Sequence, residues 1–151
     1  MALLNIQLLI FVLSLLASFV NPLPFGFKSH LEAREYSLEF RFGNGQCTDW
    51  ADARYYQLTG YHTEWAGNAE AWANNARRYP GWEISNEPRV PSIIVLPSYT
   101  QGTGSQGHVA IVEKINGDGT VYTSNFNFNK GPHVKTFADF NINGAQFIYH
   151  D

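Results

Sequence analysis

The sequence predicts an α+β domain in which N-terminal helices pack on an antiparallel β-sheet. Between residues 48 and 79, apolar side chains recur at helical spacing. From residue 90 onward, β-branched and aromatic runs take over, and the segment Asn116-Gly117-Asp118-Gly119 has the composition of a hairpin turn. Helices followed by strands that tight turns connect are typical of α+β domains.

Two helices are expected ahead of the strands. The first spans Thr48–Leu58 and has Gly60 as its stop signal, and the second spans Ala66–Tyr79 and ends at Pro80. The inner stripe of the second helix consists of small residues and one tryptophan: Ala69, Trp72, Ala73 and Ala76. This pattern predicts that one face of the helix is buried against the sheet.

Five segments read as strands. Each is short and rich in β-branched or aromatic residues: Val90–Leu96, His108–Ile115, Thr120–Phe128, Val134–Phe137 and Ala145–Tyr149. The second and third of them flank the hairpin turn, so we expect them to pair antiparallel.

Residues 1–21 are predicted to be a secretory signal peptide. The run LLNIQLLIFVLSLLASFV at 3–20 has no charged side chain, and none occurs before Lys28. A membrane anchor is the alternative, although this run is at the short limit for a span and no basic flank follows it. We therefore expect a secreted, extracellular protein without stable membrane insertion after cleavage. Residues 22–42 would be a linker or pro-like segment, and 43–151 the folded domain.

Composition restricts the possible partners. The formal net charge of −3 offers no basic surface for nucleic acid. The chain has one cysteine, Cys47, so no internal disulfide can form and the domain must rely on its core. We expect a monomer.

Cys47 is a candidate nucleophile. It follows the turn Gly43-Asn44-Gly45 and precedes the first predicted helix, whose N-terminus would stabilise a thiolate and offer N–H groups to an oxyanion. Two alternatives stay open: a small buried core residue, and a thiol that joins two chains through an intermolecular disulfide.

His108 is the candidate base because it alone of the five histidines opens a strong predicted strand. If Ile115 faces Thr120 across the turn, His108 faces Asn127, and Asn125 projects from the same face of the sheet. An amide beside a histidine can fix the tautomer of the ring. A slip of one residue in the turn would instead place a phenylalanine opposite His108.

These segments together resemble the CHAP family, the cysteine, histidine-dependent amidohydrolase/peptidase domains of the papain-like group. The resemblance extends from Gly43 to about Tyr149. It rests on the order and spacing of five motifs: GQCTDWA at 45–51, WAGNAEAWANNA at 65–76, SNEPRVPSIIVL at 85–96, GHVAIVEKINGDGTV at 107–121 and SNFNF at 124–128. It implies a papain-like CHAP fold.

The resemblance also implies roles for individual residues. Cys47 would be the nucleophile and His108 the general base and later the acid. Asn127 matches the family asparagine, and Asn125 stands where a glutamate is common, so a Cys-His-Asn type of site is expected. Gln46 would help to line the oxyanion site, with a solvent-facing side chain as the alternative.

Two further expectations come from the same resemblance. Trp65 matches a family position that would contact substrate, with a core position as the alternative. Some members bind calcium through an acidic segment ahead of the nucleophile, but here that segment holds Glu39 alone. We therefore expect no metal and no cofactor.

The function that the resemblance implies is hydrolysis of amide bonds in bacterial peptidoglycan by a secreted cysteine amidase or endopeptidase, through a thioester intermediate. The substrate partner would be a peptide or glycan-peptide of the wall. The alternative is a catalytically weak or inactive secreted protein that keeps the fold and binds the wall or acts as an effector. Asn125 in place of a carboxylate motivates that alternative, because an amide cannot offer an imidazolium a full charge.

Overall fold

A computed structural model describes residues 35–151. The predicted signal peptide at 1–21 and the first part of the predicted linker lie outside the described residues. The elements in chain order are α1 (Cys47–Thr59), a 3₁₀ turn (Ala69–Ala71), α2 (Trp72–Ala76), β1 (Trp82–Ser85), β2 (Ser92–Leu96), β3 (His108–Ile115), β4 (Thr120–Phe126), β5 (Lys135–Asn141) and β6 (Gln146–His150).

Within this part of the chain the strands form one antiparallel sheet in the order β1-β6-β2-β3-β4-β5. Helix α1 packs across β3 and β4 on one face, where Trp50, Tyr55 and Ile111 are buried. The other face has its own apolar cluster, which includes Ala110 and Phe140. The predicted α+β class is confirmed, and both faces of the central strands are buried.

Helix α1 agrees with its prediction to within one residue at each end. Gly60 ends it in the left-handed conformation, with φ 82°, and its N–H donates to the carbonyl of Tyr56. This backbone geometry favours glycine. A side chain would also be excluded there, since a Cβ on Gly60 would come within 2.7 Å of the Tyr36 ring.

The second helix is much shorter than predicted. The inner stripe is buried as expected, but regular helix is confined to α2 and the 3₁₀ turn before it. Gly67 has φ 101° and Asn68 is extended, so residues 66–68 cannot join the helix. Strand β1 was not predicted, and it pairs with β6 at one edge of the sheet.

The β3–β4 hairpin differs from the predicted register near its turn. Ile115 pairs with Val121 rather than Thr120, but the register shifts by one residue between Val112 and Lys114. Beyond this bulge, Ile111 pairs with Ser124, which is the register that the sequence predicted for the far end of the hairpin. The bulge therefore restores the expected relation between the strand ends that hold His108 and Asn125.

Residues 35–42 run beside α1. The Arg41 guanidinium forms a two-pronged ion pair with Asp52 of α1, with N–O distances of 2.9 and 2.7 Å, and also donates to the carbonyl of Thr63. Asp52 is fully buried, and it also accepts hydrogen bonds from the backbone N–H and hydroxyl of Thr63. One carboxylate thus connects the segment before α1 with the loop after it.

We predict that Asp52→Asn lowers the free energy of unfolding by about 2–3 kcal/mol, because it leaves the Arg41 guanidinium without its counter-ion and replaces an acceptor by a donor. Urea unfolding followed by tryptophan fluorescence measures the change. Glu83→Gln, an exposed position on β1, is the matched control and should stay within about 0.5 kcal/mol. Equal stability of both variants would contradict the role given to Asp52.

Candidate active site

Cys47 is the first residue of α1 and its side chain is partly buried. Gln46 is the N-cap, and its carbonyl accepts hydrogen bonds from the N–H groups of Asp49 and Trp50. The thiol therefore stands at the positive end of the helix, as the sequence predicted, where backbone N–H groups lack partners within the helix.

The glycine-rich turn before Cys47 is held by Asp49. This buried carboxylate accepts hydrogen bonds from the backbone N–H groups of Phe42, Gly43 and Gly45, at 3.1, 3.2 and 3.1 Å. Three hydrogen bonds to one charged acceptor fix the path of the chain into the helix. The position of the thiol follows from that path.

The thiol also lies against the start of β3. Burial raises the pKa of Cys47, and the nearby backbone N–H groups of Val109, Thr48 and Cys47 itself partly oppose this shift. Val109 directly follows His108, so the thiol lies against β3 one residue along the strand from the base candidate. The net direction of the pKa shift favours a protonated thiol at rest.

His108 contacts Asn125 on the neighbouring strand. The ring Nε2 lies 2.9 Å from Asn125 Oδ1, and both side chains are buried. The Asn125 Nδ2 donates to Thr123 Oγ1 and to the carbonyl of Thr136, so its Oδ1 is the atom that faces the ring. Since that oxygen accepts, Nε2 carries the proton and Nδ1 remains free to accept one.

Burial lowers the pKa of His108, and the hydrogen bond that Nε2 donates to Asn125 partly opposes that shift. The rings of Phe128 and Phe140 lie 5.0 and 5.9 Å away between centroids and account for much of the apolar surroundings. A neutral imidazole is therefore the favoured resting state, and it is the form that can act as a base.

Asn127 does not lie on the same strand face as Asn125. Strand β4 ends at Phe126, and Asn127 is exposed with φ 52°, which takes it off the strand face that the sequence analysis had given it. Its Nδ2 donates to Gln46 Oε1 at 2.6 Å. The structure thus joins His108 to Asn125 and Asn127 to Gln46, as two separate pairs.

A cavity of about 710 Å³ opens at Cys47. Gln46, Thr48, Ala66 and Gln106 are among the residues that line it. Trp65 does not line this cavity. It is 6% exposed and packs against the rings of Trp72 and Trp82, which corresponds to the core alternative, although it borders a neighbouring cavity.

Comparison with known proteins identifies the family. The sequence model of the CHAP domain matches residues 37–127, which is more than half of the chain. This chain belongs to the CHAP domain family. The resemblance seen in the sequence is thereby confirmed, and the match begins ahead of Cys47, within the segment that Arg41 and Asp49 fasten to α1.

Two curated proteins of Staphylococcus aureus are similar to this CHAP domain. The one named "Probable autolysin SsaALP" is 34% identical over 125 residues, which are 80% of this chain and 44% of that protein. Staphylococcal secretory antigen ssaA2 is 39% identical over 111 residues, 72% of this chain and 38% of that protein. The chain thus spans less than half the length of these relatives.

Solved structures show the same fold. The crystal structure of an N-acetylmuramoyl-L-alanine amidase from Staphylococcus aureus superposes with a TM-score of 0.64 at 28% identity, covering 71% of this chain and 31% of that one. The structure of Ly7917 with the hydrolysis product of MDP gives a TM-score of 0.52 at 21% identity, covering 72% and 54%, and supports the fold alone.

The sequence analysis of this CHAP domain missed Asp49 and Asp52. Both lie in the segment CTDWAD at 47–52. An acidic residue near the start of a helix is ordinarily solvated, so the sequence gives no sign that these two are buried. Among residues 35–151 there is no group of three or more His, Cys, Asp and Glu side chains that could hold a metal ion. The helices in this range are also too short or too polar to cross a membrane.

We predict that the His108 imidazole titrates below pH 6.5, and that two substitutions move its pKa in opposite directions. Asn125→Asp should raise it, because a carboxylate stabilises the imidazolium, and Asn125→Leu should lower it further, because only desolvation remains. NMR titration of the ring protons measures each value. A pKa that responds to neither substitution would contradict the contact between His108 and Asn125.

Proposed function

We propose that this protein is a secreted cysteine hydrolase that cleaves amide bonds in bacterial peptidoglycan. The observation that carries the proposal is the contact of His108 Nε2 with Asn125 Oδ1, together with a thiol at the N-terminus of α1 that lies against Val109, the residue after His108. Family membership adds support, because cysteine and histidine are the residues that give the CHAP family its name.

The proposed first step is attack of the Cys47 sulfur on the scissile carbonyl. The thiol proton passes to His108 Nδ1, which is the ring nitrogen that Asn125 leaves free. Since the resting pair is neutral, proton transfer accompanies attack rather than preceding it. The carbonyl π electrons move onto its oxygen, and a tetrahedral oxyanion forms.

The backbone N–H groups at the start of α1 would hold the oxyanion. Collapse of the tetrahedral intermediate breaks the C–N bond, and His108 donates its proton to the leaving amine. Water, deprotonated by His108, then hydrolyses the thioester and releases the acid and the free thiol. Asn125 keeps the ring oriented, and Gln46, held by Asn127, would line the oxyanion side of the cavity.

Peptidoglycan of the bacterial wall is the proposed substrate because of the names of the proteins to which this chain is similar. The similar proteins are named autolysin, secretory antigen and N-acetylmuramoyl-L-alanine amidase. The apolar run at residues 3–20 supports export. Within that class, the bond between glycan and stem peptide and the bonds inside the peptide bridges are both amides that this chemistry can cleave.

We predict that Cys47→Ala abolishes clearing of isolated bacterial walls by the purified protein while the fold persists. The substitution removes the nucleophile but leaves the Asp49 hydrogen bonds intact. Turbidity measures clearing, mass spectrometry of the fragments identifies the new termini, and circular dichroism checks the fold.

Lysis by the Cys47→Ala protein at the native rate would refute a cysteine mechanism. No lysis by the native protein on several wall types, with a reduced thiol and an intact fold, would favour the alternative of a wall-binding or effector protein.

We also predict that alkylation of Cys47 by iodoacetamide accelerates steadily from pH 6 into the alkaline range. Burial raises the pKa of the thiol, so the thiolate fraction stays small near neutrality. Mass spectrometry of the modified protein at successive times gives the rates. A rate already at its plateau near pH 6 would instead indicate a preformed thiolate–imidazolium pair.

A further inference from the structure

A second cavity, of about 480 Å³, adjoins the one at Cys47. We call it the arginine chamber, because Arg41 and Arg78 both line it, together with Glu64, Trp65, Asn75 and Tyr79 among others. The two cavities have Arg41, Phe42 and Ala66 in common. The two cavities are therefore neighbours that share these walls, with the thiol in one and Arg78 in the other.

The two guanidinium groups differ in how they are used by the fold. Arg41 is committed to Asp52 and to the Thr63 carbonyl through Nε and Nη2, while its side chain remains 41% exposed. Arg78 has an exposed side chain, and over residues 35–151 its guanidinium takes part in no ion pair and no side-chain hydrogen bond. The fold gives Arg41 a structural partner and leaves Arg78 without one.

Glu64 is the acidic residue among the described residues that line the chamber, and it forms no ion pair with Arg78. Its Oε1 accepts a hydrogen bond from Trp82 Nε1 at 3.2 Å. The carboxylate of Asp52 is fully buried behind Arg41 and already saturated with donors. The two guanidinium groups and the carboxylates of Asp52 and Glu64 balance in formal charge. Asp52 is buried and paired with Arg41, so the Arg78 guanidinium is the group left available to an anionic ligand.

We propose that the arginine chamber is a subsite that binds a free carboxylate of the peptide substrate, with Arg78 as its main contact. A guanidinium pairs with a carboxylate through two parallel N–H donors, which a neutral amide cannot match. Adjacent cavities, one at the thiol and one at a cation, suit an extended peptide that ends in, or branches to, a carboxylate. This subsite rests on the proposed function, because it assigns a specificity to that same site.

The test uses the Cys47→Ala protein, so that binding is measured without turnover. The two probes are a synthetic wall stem tetrapeptide with a free C-terminal carboxylate and the same peptide as its C-terminal amide. Isothermal titration calorimetry gives both dissociation constants at low and at physiological salt. We expect the acid to bind about fivefold or more tightly than the amide, and salt to reduce this preference.

Three substitutions in that background locate the preference. Arg78→Gln should abolish it by weakening the acid and sparing the amide. Glu64→Gln should increase it, because the opposing carboxylate is lost while an acceptor for Trp82 remains. Arg77→Gln is the matched control, since Arg77 is an exposed neighbour that does not line the chamber, and it should leave the preference unchanged.

An equal preference in the Arg78→Gln and Arg77→Gln proteins would overturn the subsite, as would the absence of any preference in the parent. Wall lysis by protein with Cys47 intact is scored separately. Lysis without a carboxylate preference refutes the chamber alone, and carboxylate binding without lysis refutes the hydrolase and keeps the chamber as a recognition site.

Discussion

The site depends on two carboxylates that α1 keeps out of water. Asp49 accepts hydrogen bonds from backbone N–H groups of the turn before Cys47. Asp52 forms an ion pair with Arg41 and accepts a hydrogen bond from the backbone of Thr63. Burying a carboxylate is costly unless it is paired and fully hydrogen-bonded. The surrounding chain therefore follows the path on which both carboxylates keep their hydrogen-bond partners. That path places the thiol at the end of the helix and Arg41 in the wall of the cavity at Cys47.

Desolvation is the largest cause of the pKa shifts at both Cys47 and His108. Burial disfavours the thiolate of Cys47 and the imidazolium of His108 alike. The raised pKa keeps the proton on the thiol and the lowered pKa keeps the imidazole neutral, so both shifts favour the neutral pair. Asn125 matches that arrangement, because an amide oxygen orients the ring without adding a buried negative charge. A glutamate at the same place would favour the imidazolium and shift the pair towards the ionised form.

Much of this arrangement was readable from the sequence. The helix at Cys47 and the strand at His108 follow from periodicity, and turn residues indicated the hairpin. The sequence placed Asn125 on the same sheet face as His108 through a register that was wrong near the turn, and a bulge between Val112 and Lys114 corrects the register beyond it. Nothing in the local pattern signals a bulge, since it is settled by packing across the sheet.

Other features depend on contacts that no single segment encodes. The isolated stretch Trp82–Ser85 becomes a strand because β6 offers it a partner, and Asn127 leaves the strand because its backbone turns left-handed after Phe126. The alternation of apolar and polar residues along a strand does not show that the strand ends in a left-handed residue. The roles of Asp49 and Asp52 were equally hidden, because their partners come from segments on both sides of the helix.

Arg41 belongs both to the ion pair that fastens the chain to α1 and to the walls of both cavities. Binding at the proposed subsite would therefore be thermodynamically linked to folding through one side chain. A ligand that fills the folded cavities and ignores the unfolded chain raises resistance to denaturation by mass action. Such a protein would unfold most readily in free solution and least readily where its ligand is concentrated. Occupancy of the cavities would then determine how long the protein stays folded.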